Sequence, residues 1–116
     1  MNAMHDAAAA GQVALQRCEA CGRVQYPPRE CCAACLSDRL GWQVAPAVEG
    51  TLLARRVLHH SQEARFRAAL PLGIGLVRLA AGPVALCFVP APHAIGDRVA
   101  VRAALDATGQ PVLTAT

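Results

Sequence analysis

The sequence predicts a mainly β protein in which a small metal-binding module precedes a five-stranded barrel. Three observations predict this class. Four cysteines form two C-x-x-C pairs with ten residues between the pairs, five short β-like runs follow in the second half of the chain, and turn signals separate those runs. Short strands at regular spacing with turns between them are typical of small all-β domains.

The composition restricts the classes open to the chain. Its 116 residues are 54% hydrophobic but only 3% aromatic, and no apolar stretch reaches the roughly 20 residues that a membrane-spanning helix needs. Residues 1–10 lack the basic start of a secretory signal, so we expect a cytoplasmic protein without a membrane span. The formal charge of +3 is a modest excess and does not by itself imply nucleic acid, for which a concentrated basic patch is the expected feature.

Residues 1–12 are rich in alanine and have no periodic apolar face. We expect a flexible or helical lead-in there. Residues 13–47 form the predicted metal-binding module, which begins with a short strand at Val13–Leu15. Tyr26-Pro27-Pro28-Arg29 lies between the two cysteine pairs, where the prolines favour an extended, stiff connector.

The cysteine spacing predicts a closed metal site. Cys18 and Cys21 form the first pair, and Cys32 and Cys35 form the second. Each C-x-x-C turn brings two thiolates towards one point, and Gly22 suits such a turn because it has no Cβ. Four thiolates satisfy tetrahedral zinc and leave no position for substrate, so we expect a structural zinc. Iron uses the same four donors and stays an alternative.

The other uses of these cysteines fit less well. Two disulfides are typical of secreted domains, and a single redox-active C-x-x-C leaves the second pair unexplained. Cys31 does not give C-x-x-C spacing with Cys35, so we interpret it as a spare thiol. Cys87 lies in the apolar run VALCFV, which predicts a buried side chain.

Residues 48–116 carry the pattern of a small barrel. Gly73 and Gly75 lie two residues apart, hence on one face of a strand, where they permit the close backbone approach that a closed barrel needs. The turn before Val84 predicts a hairpin between the second and third runs. The pattern favours an OB-fold barrel, with an SH3-like barrel as the competitor. The five runs are Thr51–Leu58, Leu72–Leu79, Val84–Val89, Arg98–Ala104 and Pro111–Ala115.

The motifs taken together resemble the DUF35 family. The segments that carry the resemblance are Arg17-Cys-x-x-Cys-Gly22, Tyr26-Pro-Pro-Arg29-x-x-Cys32-x-x-Cys35-x-Ser37, Leu40-x-Trp42 and Gly50-Thr51, followed by His59. The resemblance implies a rubredoxin-like zinc ribbon followed by an OB-fold. It also implies a non-catalytic accessory subunit that binds a thiolase-like or other acyl-CoA enzyme and helps to hold acyl-CoA, with the catalytic residues on the partner.

Candidate ligand-binding residues surround the loop between the first two barrel strands. Guanidinium groups suit the phosphates of CoA, although an exposed arginine face is the competing interpretation. An aromatic ring between arginines also suits base stacking, so the alternative function is an OB-fold single-stranded nucleic-acid-binding protein, for which one aromatic ring is a small stacking surface. No nucleophile or paired-carboxylate motif is present, so we predict that the chain is not an enzyme by itself. The candidates are Arg55, Arg56, Arg65, Phe66 and Arg67.

Overall fold

The computed structural model describes residues 3–62, 64–67 and 70–116 and confirms the predicted mainly β class. The elements in chain order are α1 Ala3–Ala9, β1 Val13–Cys18, β2 Val24–Gln25, β3 Leu40–Ala45, β4 Val48–Leu58, α2 Ala64–Arg67, β5 Leu72–Leu79, β6 Val84–Phe88, β7 Arg98–Leu105 and β8 Pro111–Ala115. No helix in the described part of the chain has both the length and the apolar character needed to cross a membrane.

The N-terminal sheet has three antiparallel strands in the order β2-β1-β3. β1 is the central strand and pairs with β3 over its whole length, from Val13 opposite Ala45 to Cys18 opposite Leu40. Every residue of β1 except Arg17 is buried. The strand is therefore longer than the predicted Val13–Leu15, and it ends at the first cysteine of the metal-binding motif.

The C-terminal sheet closes into a barrel with the strand order β4-β5-β6-β8-β7. β4 pairs antiparallel with both β5 and β7, and β6 and β8 close the barrel as parallel neighbours through Phe88 and Thr114. This is the strand order of an OB-fold barrel, so the predicted architecture is confirmed over the SH3-like competitor. β5 and β6 form the predicted hairpin.

Gly73 and Gly75 lie on the buried face of β5. A Cβ atom at Gly75 would come within 2.6 Å of the Ala54 carbonyl oxygen, and one at Gly73 would collide with the carbonyl oxygen of Val89. Both glycines thus let neighbouring backbone approach more closely than any side chain permits. Their predicted role in barrel closure agrees with this geometry.

α1 ends in a hydrogen-bonded glycine cap. Gly11 has a φ of 74°, its N–H donates to the Ala8 carbonyl at 3.0 Å, and the Gln12 N–H donates to the Ala7 carbonyl at 2.7 Å. This is the Schellman arrangement that commonly ends helices at glycine. Ala7 and Ala8 are buried, and α1 packs against β1, β7 and β8. The small alanine side chains allow this close packing despite the lack of a periodic apolar face.

The N-terminal sheet and the barrel share one hydrophobic core. Ala8 of α1 and Val13 and Leu15 of β1 belong to the same buried cluster as the barrel residues. Tyr26, which follows β2, packs against this cluster as well. The barrel contributes Leu52, Val77, Leu79, Ala85, Cys87, Val89, Val99, Val101, Ala103, Leu113 and Ala115. A structural change in β1 will therefore be transmitted to the interior of the barrel.

Cys87 makes the stability of the core sensitive to alkaline pH. Burial raises the pKa of this thiol from 9.0 to about 11. The folded state holds this proton more tightly than the unfolded chain does. The protonated thiol therefore makes its full contribution to the free energy of unfolding below pH 9, and this contribution is lost as the pH rises towards 11. We expect the wild-type protein to lose about 2 kcal/mol more unfolding free energy by pH 11 than Cys87→Ala does, measured by urea denaturation.

The matched comparison limits other alkaline effects. Burial raises the pKa of Tyr26, with a smaller contribution from the charge of ionised Cys87 that the variant lacks, and both proteins retain Tyr26 and the remaining cysteines. The urea midpoints of the two proteins should change with pH in the same way from pH 7 to 8.5, and the difference between them should change only above pH 9. A constant difference between the two urea midpoints up to pH 11 would contradict the assignment of this effect to Cys87.

Candidate metal centre

The four cysteines of the two C-x-x-C pairs meet at one point. Their Sγ atoms all lie within 4.8 Å of one another. Cys18 and Cys35 are 3.6 Å apart, and Cys21 and Cys32 are also 3.6 Å apart. Thiolates that bind one tetrahedral ion at ~2.3 Å lie roughly 3.8 Å from each other, so the donor set fits a single metal ion.

The two cysteine turns have the same backbone design. The Gly22 N–H donates to the Cys18 carbonyl at 2.8 Å, and the Leu36 N–H donates to the Cys32 carbonyl at 2.9 Å. Gly22 has a φ of 82° and Leu36 a φ of 64°. The position after each pair is therefore left-handed, as predicted for Gly22, while the second turn carries leucine in a conformation that costs roughly 1–2 kcal/mol.

Backbone N–H groups inside the turns stabilise thiolates. The N–H of Cys21 lowers the pKa of the Cys18 thiol, although burial opposes this shift. The N–H groups of Cys35 and Ala34 lower the pKa of Cys32 to about 6, and the Ala34 nitrogen lies 3.4 Å from the Cys32 Sγ. Each turn thus favours one negatively charged sulfur before any metal is bound.

The Cys35 thiol shows the effect of placing four sulfur atoms close together. The Ser37 N–H lowers the pKa of Cys35, but the neighbouring thiols, with Cys18 first, and burial outweigh it and raise the pKa to about 12. Four sulfurs at this spacing do not all ionise by themselves, because like charges repel at short range. A divalent cation removes that repulsion, so the chemistry of the donor set, as well as its geometry, fits a bound metal.

A pair of buried glutamines holds the second cysteine turn against the sheet. The Gln25 amide donates to the Gln16 Oε1 at 2.6 Å and to the Cys31 carbonyl at 3.3 Å, while its Oε1 accepts from the Ala33 N–H at 3.0 Å. The Gln16 Oε1 accepts from the Arg29 N–H at 2.8 Å, and the Gln16 amide donates to the Arg29 carbonyl at 2.9 Å. No sequence motif distinguishes these glutamines, so only the structure reveals their role.

The two remaining cysteines lie outside the metal centre. Cys31 is exposed, and only its carbonyl takes part in the glutamine network. Cys87 is buried in the barrel core, where the pattern VALCFV placed it. Neither thiol belongs to the cluster formed by the four paired cysteines.

The structure separates the predicted ligand-binding arginines. The Arg55 guanidinium donates to the Val89 carbonyl from Nε at 3.2 Å and from Nη2 at 3.0 Å. Arg56 follows it on β4, pairs across from Ile74 on the outside of the barrel and is exposed. Consecutive strand residues point to opposite faces, so Arg55 and Arg56 do not act together.

The other candidates of this group lie in and around α2. The Arg67 side chain is exposed. The side chains of Arg65 and Phe66 lie outside the described part of the structure, so their predicted roles stay predictions.

Comparison with known proteins agrees with this fold and site. Residues 5–41 match the family described as "ChsH2, rubredoxin-like zinc ribbon domain". The N-terminal module is similar to the zinc ribbon of that family. The whole fold is similar to a chain of the solved structure "Ltp2-ChsH2(DUF35) aldolase", with a TM-score of 0.79 and 24% identity over 98% of this chain and 91% of that chain. The predicted resemblance to the DUF35 family is confirmed. No curated protein sequence matches the chain.

The zinc ribbon should retain its metal less well without the glutamine pair. In Gln25→Leu, the Ala33 N–H and the Cys31 carbonyl lose their hydrogen-bond partner, and each such bond contributes about 0.5–1.5 kcal/mol. We expect metal transfer to a chromophoric chelator to become roughly tenfold faster or more, as for other residues that orient metal ligands. Gln43→Leu on the exposed side of β3 is the control and should transfer metal at the wild-type rate.

Proposed function

We propose that this chain is a non-catalytic accessory subunit that binds a thiolase-like or other acyl-CoA enzyme and helps to hold acyl-CoA. One observation carries the proposal: the fold follows, over 98% of its length, a chain of an assembly described as an aldolase with a ChsH2(DUF35) component. An enzyme partner would give a function to a chain that has no catalytic residues of its own. The reaction belongs to the partner in this proposal.

The metal in this proposal is zinc with a structural role. Cys18, Cys21, Cys32 and Cys35 would hold it, and four thiolates saturate a tetrahedral ion. Such a site has no open position for water or substrate, so the ion supplies folding energy and no chemistry. Among the described residues, these cysteines form the one group of three or more potential metal ligands close enough for a shared ion.

The acyl-CoA contact is the finer part of the proposal. Arg56 on β4 and Arg67 in α2 are exposed, and both Arg67 and Arg65 lie in the connection between β4 and β5. Their charge suits the phosphates of CoA. Arg55 is less suited, because two of its donors already bind the Val89 carbonyl.

The test is purification of the tagged chain from its native cells, with mass spectrometry of the eluate and metal analysis by inductively coupled plasma emission. We expect one acyl-CoA enzyme in near-equal amount and one zinc per chain. The enzyme's turnover should fall when this chain is omitted, and the chain alone should not turn over acyl-CoA. Retention of oligonucleotides with a steep salt dependence, in place of an enzyme, would support the nucleic-acid-binding alternative.

A further inference from the structure

The outside of the barrel carries an apolar surface on two neighbouring strands. Ile74 and Leu76 project outward from β5, and Val84, Leu86 and Phe88 project outward from β6, because the residues between them are buried. We call these five residues the outer apolar face. In the sheet register Leu76 lies opposite Leu86, and Ile74 lies opposite Phe88.

The exposure of this face is unusual for a barrel exterior. Leu86 is 59% exposed, Leu76 42% and Val84 38%. Isolated exposed aliphatic residues are ordinary, but a contiguous group on adjacent strands marks an interaction surface. The solvent side of an antiparallel strand normally carries polar residues, as the arginines of β7 do. The outer apolar face breaks that pattern over two successive cross-strand pairs and at Val84 beside them.

A groove continues the face at the weakest point of barrel closure. β6 and β8 pair at Phe88 and Thr114 alone, fewer pairs than between any other two neighbouring strands of the barrel. A groove of about 290 Å³ opens where β6 and β8 meet, and its lining includes Leu86, Phe88 and Val112 together with Ile74 of β5. Interfaces concentrate their binding energy where an aliphatic or aromatic side chain enters such a pocket.

Two arginines lie at the borders of the face. Arg56 lies opposite Ile74 at one border, and Arg78 lies opposite Val84 at another. Both are exposed, and neither forms an ion pair with another residue of the described chain. A partner would therefore gain from carboxylates beside an apolar strip. Two copies of this chain face to face would bring positive borders together, which disfavours self-association.

We propose that the outer apolar face is the surface on which the enzyme partner docks, through an apolar strip of the partner that is bordered by carboxylates. This inference rests on the proposed function and deepens it by naming the side of the barrel that binds and the chemistry of the partner surface. Leu76 and Leu86 form the centre of the contact, an apolar side chain of the partner enters the groove between β6 and β8, and Arg56 and Arg78 pair with acidic residues at the border.

The experiment measures the affinity of surface variants for the enzyme identified in the purification described above. Leu76→Glu and Leu86→Glu place a charge at the centre of the face, where both side chains are exposed enough for the barrel to keep its fold. We expect the dissociation constant to rise about tenfold or more for each variant. Ile95→Glu and Val44→Glu are the matched controls, since these aliphatic residues are 63% and 53% exposed and lie away from the face.

A second measurement tests the chemistry of the partner. We expect Arg78→Glu to slow association and to reduce its dependence on salt, because it reverses a border charge. A photo-crosslinking residue at position 86 should label a partner peptide that contains aliphatic and acidic side chains. Circular dichroism and metal content of every variant should match the wild-type protein, so that loss of binding reports the surface alone.

The contrary outcomes separate this inference from the proposed function. If the enzyme binds wild-type protein and Leu86→Glu equally well, the docking face is wrong and the accessory role stands. If no acyl-CoA enzyme purifies with the chain, both fall. A homodimer or an oligonucleotide complex that Leu86→Glu disrupts would also overturn the inference, because the face would then serve a different partner.

Discussion

Removal of the metal will unfold residues 13–45 and will lower the stability of the barrel as well. Structural zinc contributes roughly 10–16 kcal/mol to small zinc domains, far more than the short strands of the ribbon provide. Since Val13 and Leu15 belong to the common core, loss of the ribbon also exposes one side of the barrel interior. Trp42, half-buried in β3, is the single tryptophan and reports on this sheet.

The measurement combines Trp42 fluorescence with thermal denaturation by circular dichroism, before and after chelation. We expect a red-shifted Trp42 emission and a melting temperature lowered by more than 10 °C, as a loss of several kcal/mol produces in a domain of about this size. A barrel that melts at the same temperature with and without metal would show that the ribbon and the barrel are energetically independent.

Single serine substitutions identify the ligands. Cys18→Ser and Cys35→Ser each remove one thiolate of the cluster and should behave like the metal-free protein. Cys31→Ser is the matched control, because the exposed Cys31 is next to Cys32 but outside the cluster. It should keep one metal per chain and the wild-type melting temperature. Equal metal loss in all three variants would show that the assignment of Cys32 and Cys35 as the second ligand pair is wrong.

Gly73→Ala will destabilise the barrel by roughly 3 kcal/mol, because the added methyl group overfills a closed space. The new Cβ would collide with the Val89 carbonyl oxygen and lie 2.7 Å from the Arg55 Nη2. Backbone cannot move as easily as the end of a side chain, so β5 and the segment after β6 must separate. That separation also weakens the hydrogen bonds that Arg55 donates to Val89.

Urea denaturation at neutral pH measures this change. Ala104→Val adds a larger group to an exposed position on β7, opposite Val112, and serves as the control. It should leave the midpoint unchanged or raise it slightly, since β-branched residues suit strands. A Gly73→Ala midpoint equal to that of the wild-type protein would mean that the barrel tolerates the wider spacing.

The cysteine cluster and the barrel strands were predictable because their signals are local. A C-x-x-C turn positions two thiolates by itself, so the spacing of Cys18, Cys21, Cys32 and Cys35 was sufficient to predict the group that the structure brings together. Alternation along each strand and turn residues between strands depend on neighbours in the chain as well. For this reason Leu72–Leu79 and Pro111–Ala115 were predicted with the bounds that the structure shows.

The glutamine pair and Arg55 show what local patterns miss. Gln16 and Gln25 have no distinguishing feature in the sequence. Their role arises from the pairing of β1 with β2 and from the packing of the second cysteine turn against both side chains. Arg55 and Arg56 are equivalent in sequence, and only the register of β4 against β5 directs Arg55 to the Val89 carbonyl and leaves Arg56 exposed. Ligand binding by Arg55, Arg56, Arg65, Phe66 and Arg67 therefore stays a prediction.

By itself the sequence determined the ligand set of the metal centre, the mainly β class and the positions of the barrel strands, because each depends on residues within a few positions of one another. Only the tertiary structure decided the strand order, the core shared by α1, β1 and the barrel, and the outer apolar face on β5 and β6. These features depend on contacts between distant segments. Burial at Ala8, Leu76 and Leu86 is set by what packs there, and alternation does not specify which face of a strand meets the core.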